Sequence, residues 1–114
     1  MLDYKIYFKD ILNSIGKIEN SIRGKKEFDL INNLDLGDAT LMRLQTIGES
    51  IRKIPFDIKK KNKHIKWRKL AKLRNLISHK YSSIDMNIIW DVVSNVIPQL
   101  KKDIEIVIEN EKIK

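Results

Sequence analysis

The 114-residue chain contains no cysteine and carries a net charge of +8. That excludes disulfides, thiolate catalysis and cysteine-built zinc sites, and it leaves length for one domain, residues 1–114, with a real core. No apolar run approaches the ~20 residues of a membrane-spanning helix, and the opening MLDYKIYFKD mixes charge into its apolar residues, unlike a secretory signal. A soluble cytoplasmic protein with no membrane association is the expectation.

The elements in chain order are helical. Tyr4, Phe8, Ile11, Ile15, Ile18 and Ile22 recur at steps of three and four, one stripe on a long first helix that ends near Gly24. Phe28 to Leu34 reads as a short helix or turn, followed by Asp35-Leu36-Gly37-Asp38 as a capping loop. Leu41, Leu44, Ile47, Ile51 and Ile54 mark a second long helix up to Pro55. Its Gly48 costs about 1 kcal/mol against alanine, so the position suggests close approach by another helix. Pro55 opens a short turn that ends in Lys59 to Lys61. Trp67, Leu70, Leu73 or Leu76, and Ile77 predict a third long helix ending near Ser78 or His79.

Beyond a loop at Ser82 to Ile84, Asp85 is placed to cap a last helix. Its stripe is Met86, Ile89, Trp90, Val93, Ile97, Leu100, Ile104 and Val107, with Pro98 expected to kink it. The prediction is therefore all-α: an up-and-down bundle of four to five helices, dimerising side by side. The Ile-rich stripes of the first and last helices suit either a buried core or a dimer seam.

The charge is concentrated. From Ile58 to Ile84 there are ten Lys/Arg and no Asp/Glu, while the rest of the chain holds thirteen basic and fifteen acidic residues. A basic field of this kind favours a polyanion, nucleic acid first, though a solvated lysine face would account for it too. Within that segment lies RNLISHKY, Arg74 to Tyr81. On spacing alone Arg-x4-His is a loose pattern, and a polar helix end explains it, because Arg and His near a C-terminus favour the helix dipole. Asn75 and His79, four residues apart, share a face.

The longer pattern adds more. YFKDILNSIGKIE, LQTIGESIRKIP, HIKWRKLAKLRNLISHKYSSID and IIWDVVSNVIPQLKKDI together resemble the HEPN superfamily, and within it the HepT-like ribonuclease toxins paired with minimal nucleotidyltransferase antitoxins. Arg74, His79 and Tyr81 stand in the three places of that family's Arg-x4-His-x-Tyr motif. Lys72-Leu73 departs from the Gly-Met often found before the Arg-Asn pair, and Ser82-Ser83 replaces a frequent Gly or aromatic.

The resemblance implies metal-independent RNA cleavage by a toxin of a type II toxin–antitoxin system, with no cofactor and no metal site. Only two histidines are present, and no carboxylate cluster offers itself to a catalytic metal. Attack by the ribose 2′-OH needs a base, an acid and positive charge for the phosphorane. An imidazole, which ordinarily titrates near pH 6.5, suits His79 to the first two roles. Arg74 offers a permanent planar fork to phosphate, and Asn75 is a supporting hydrogen-bonding neighbour that would orient His79 or the phosphate. Lys66, Arg68, Lys69, Lys72 and Lys80 are the expected RNA contacts, and His64 in KKKNKH an exposed phosphate-attracting residue. One chain has one motif histidine, so a homodimer is expected to bring two motifs together. Tyr81 is the implied acceptor of AMP units from the antitoxin. The RNA itself, tRNA or mRNA, stays open. The rival reading is a non-catalytic nucleotide-binding or nucleic-acid-binding helical module that partners a nucleotidyltransferase.

Overall fold

Apolar stripes long enough to form helices also dictate how those helices pack. In the computed structural model, which describes residues 4–111 and only the backbone of Lys80 and Tyr81, α1 spans Lys5–Ile22 and α2 Glu27–Asn32. α3 covers Leu34–Lys53, α4 Phe56–Lys61 and α5 Trp67–Lys80; a 3-10 turn follows at Tyr81–Ser83. α6 (Met86–Asp91), a π turn (Val92–Val96) and α7 (Ile97–Asn110) follow one another without a break. The four long segments make the predicted all-α bundle, with α2 and α4 as short bridges, and no strand occurs among the described residues.

α1 packs against α3 and α7, α5 packs against α3, and α2 rests on α3 and α6. Ile11, Ile15 and Ile18 of α1, Leu44 and Ile51 of α3, and Ile89, Ile104 and Val107 of the last segment have no exposed surface. Each such side chain contributes about 1.5–3 kcal/mol through burial. The Ile-rich stripes of α1 and α7 are thus core, which leaves neither open as a dimer seam. On α5 it is Leu73 that packs against the core, while Leu76 is 38% exposed.

Two boundaries differ from the sequence reading. Asp35 to Asp38 is not a loop but the first turn of α3. The cap comes earlier, from Asn33 Oδ1, which accepts from the Leu36 N–H at 3.0 Å, and Asp35 then sits where the helix dipole favours an acid. Pro98 stands near the start of α7, and the irregularity lies one turn before it. There the Ile97 N–H reaches back five residues to the Val92 carbonyl, a widened turn that accommodates the proline ring. Asp85 caps α6 as expected, accepting from the Asn87 N–H at 2.9 Å. Gly24, at φ 73°, takes the left-handed turn that ends α1. Among the described residues no helix is long and apolar enough to cross a membrane.

Candidate functional site

The site begins with a missing side chain. A Cβ built at Gly48 would lie 2.8 Å from the Arg74 Cβ and 3.1 Å from its backbone nitrogen. Only glycine lets α3 and α5 approach this closely, as its position in the second helix suggested. The contact brings Arg74 against the next residue, Glu49. Arg74 Nε is sealed from solvent in an ion pair with Glu49 Oε2, angled so that the Nε proton has no aligned acceptor. Arg74 Nη1 donates to Asn75 Oδ1 at 3.3 Å, so the long side chain does turn toward the neighbouring face. Nearer the end of α5, Gln45 Nε2 donates to Ser78 Oγ at 3.3 Å, a second tie to α3.

At about 100° per residue, Arg68, Lys72, Asn75 and His79 fall within about 60° of one another on α5. All four are exposed. Arg74 lies roughly 140° from His79 on the same helix. Asn75 therefore joins the two: it accepts from Arg74 and shares the face of His79. Lys80 ends α5 and Tyr81 opens the 3-10 turn, but the side chains of both lie outside the described residues.

The expected RNA contacts Lys66, Arg68, Lys69 and Lys72 line one cavity of about 790 Å³ between α4 and the first half of α5. Lys59, Lys60, Lys63, Phe56 and Trp67 complete its polar and aromatic lining, and no carboxylate is part of it. Burial, and then the nearby Arg52 guanidinium, holds the Lys59 ammonium below the usual lysine range. The turn between α4 and α5 is fixed from within. Buried Asn62 donates from Nδ2 to the Ile58 carbonyl at 2.9 Å and accepts at its own carbonyl from Trp67 Nε1 at 3.0 Å. His64 is exposed, as expected. Its Nε2 lies 4.0 Å from Asp103 Oδ1 of α7.

The family model for HepT-like ribonucleases matches residues 11–107. The chain belongs to this family. It is thereby a HEPN-superfamily protein, and its relatives carry nuclease names. It is 38% identical over 102 residues to "Gamma-glutamylcyclotransferase and putative RNase MJ0434" of Methanocaldococcus jannaschii, covering 90% of this chain and 46% of that one. The chain thus spans about half the length of that relative. It is 33% identical over 108 residues to "Putative RNase MJ1216" of the same organism, covering 95% of this chain and 89% of that protein. With "Probable ribonuclease HepT" of Thermococcus cleftensis it shares 32% identity over 102 residues, 90% of this chain and 93% of the other. No solved structure matches the chain.

Two residues of this HepT-like chain escaped the sequence reading. Glu49 follows Gly48 directly, and a carboxylate beside a close helix contact is the signal that could have found it. Phe56 is 73% exposed next to the lysine run; an aromatic that follows a proline and fits no apolar stripe was the available clue.

Proposed function

We propose that this HepT-like protein is the toxin of a type II toxin–antitoxin pair, a metal-independent endoribonuclease that cleaves RNA through its own 2′-OH. The observation that carries the reading is the arrangement of Arg74, fixed by Glu49 and bonded to Asn75, beside the exposed face that bears Asn75 and His79. In this reaction a base removes the 2′-OH proton, the 2′-oxygen bonds to phosphorus, and the 5′-oxygen leaves with a proton from an acid. The product ends are a 2′,3′-cyclic phosphate and a 5′-OH. His79 serves as base or acid, and Arg74 balances the charge that builds on the phosphorane oxygens.

One chain offers one motif histidine, and its own Arg74 is far round the helix from it. A twofold homodimer that pairs the two faces supplies a second histidine and a second arginine. Leu76, exposed beside that face, is apolar surface that such an axis would cover. Control comes from a partner nucleotidyltransferase. The Tyr81 phenol oxygen attacks the α-phosphorus of ATP, pyrophosphate leaves, and the new phosphate repels RNA from the basic face.

Light scattering and intact-mass spectrometry after co-expression with the partner test the reading. A dimer at micromolar concentration and mass gains in multiples of AMP that vanish in Tyr81→Phe are expected. A monomer active at that concentration, or a mass unchanged by the partner, contradicts those parts of the proposal.

A further inference from the structure

We propose that the basic cleft between α4 and the start of α5 is a second RNA subsite that holds an unpaired nucleotide. Its base stacks on Phe56, and its phosphates rest on the surrounding lysines, a few nucleotides from the bond cut at His79. The inference rests on the reading that this chain acts on RNA, and it names which form of RNA and where it is gripped.

Three observations carry it. Phe56 is 73% exposed at the first position of α4, so its ring contributes almost nothing to the core. It stands in a cavity with six lysines and one arginine and no carboxylate among the lining residues. An aromatic face over a cationic groove is the combination that binds single strands, because every base has a π-face and every linkage a charge. None of those seven cations forms an ion pair among the described residues, so the charge is available to phosphate.

The second observation is continuity. Arg68 and Lys72 line the cleft, and the same face of α5 continues through Asn75 to His79. From Arg68 to His79 the helix rises about 16 Å, so a strand laid along this stripe enters the cleft a few nucleotides from the reacting phosphate. The third is the state of Lys59. A part-buried ammonium crowded by Arg52 is a local excess of positive charge that an incoming phosphate relieves. A duplex does not fit this arrangement, since stacking on a side chain requires a base freed from its pair. The lining offers apolar surface and cations rather than a donor–acceptor pattern, so the grip tolerates any base.

The test is binding of a fluorescent, single-stranded 2′-O-methyl RNA oligonucleotide, which lacks the nucleophile for cleavage, measured by anisotropy. Phe56→Ala should weaken binding by about 5- to 150-fold, with the circular dichroism spectrum and melting temperature unchanged. Phe56→Trp should restore affinity, and Phe56→Leu, apolar but not planar, should not. Equal affinity for wild type and Phe56→Ala, rescue by leucine as good as by tryptophan, or no binding by wild type overturns the subsite. Cleavage by His79 that ignores Phe56→Ala in both rate and binding removes the subsite and keeps the nuclease reading. Phe56-dependent binding by a protein that cuts no RNA keeps the subsite and removes the nuclease reading.

Discussion

The α1–α7 side and the α4–α5 side of this bundle are built to different rules. On the first, the apolar stripes are buried and two cations meet partners: Lys101 Nζ lies 3.1 Å from Glu19 Oε1, and Arg43 Nη1 donates to Ser21 Oγ at 3.0 Å. On the second, seven cations line one cavity without an acid among them, an aromatic ring is left in water, and burial, then Arg52, holds a lysine below its ordinary range. Local choices that oppose stability tend to gather at functional sites, with the rest of the fold compensating. Under the proposed function, the difference separates the half that holds the protein together from the half that meets RNA, and substitutions should divide the same way.

The largest effects should come from the motif. His79→Ala and Arg74→Ala should each lower RNA cleavage by about 10²–10⁴-fold while leaving thermal unfolding unchanged for the exposed histidine. Arg74→Lys should rescue little, because the planar fork is lost. Ile104→Ala, on the opposite side, should do the reverse. It should cost about 2–5 kcal/mol of stability in a denaturant titration, with normal cleavage per folded molecule.

Gly48→Ala probes the seam between the halves. The new methyl must displace the Arg74 backbone, at about 1–3 kcal/mol for overpacking, and should lower activity more than that loss of stability alone predicts. Glu49→Gln should leave melting nearly unaltered and slow cleavage, since Arg74 loses the charge that fixes it. Lys101→Ala should cost at most about 1 kcal/mol, as exposed ion pairs do.

The smallest effect has the most telling sign. Because its native pKa is lowered from 10.5, charged Lys59 disfavours the folded state. That penalty is fully present below the lowered pKa and fades as pH rises through it toward the unfolded value. Lys59→Gln should therefore raise the melting temperature slightly at neutral pH, flatten this rise in stability at alkaline pH, and weaken RNA binding. A fall in melting temperature would place Lys59 on the stabilising side of the molecule and blur the comparison.

Much of the bundle was legible because its core repeats at helical spacing: Ile11, Ile15, Ile18, Leu44, Ile47 and Ile51 all lie where periodicity put them. Gly48 was legible as a close contact because glycine inside a strong helix needs a reason. The start of α3 was misread because Asp35, Gly37 and Asp38 are turn formers, yet a single Asn33 cap and the dipole outweigh them. The exposure of His64 was legible in KKKNKH, but its neighbour Asp103, 39 positions on, was not. Glu49 and Phe56 were missed for a common reason. Their meaning depends on what another helix brings beside them, and periodicity within one helix carries no such information. The stripes of α1 and α7 show the converse limit: a sequence can mark a face as apolar without saying whether its cover is the same chain or a second one.

The central claim is that Arg74, Asn75 and His79 cut RNA by 2′-OH attack. Its most direct test is to incubate single-stranded RNA with purified protein in EDTA and identify the new ends. The account predicts 2′,3′-cyclic phosphate or 3′-phosphate ends with 5′-OH partners from the wild type, and none from His79→Ala. Cleavage that stops in EDTA, that leaves 5′-phosphate ends, or that persists in His79→Ala would contradict it.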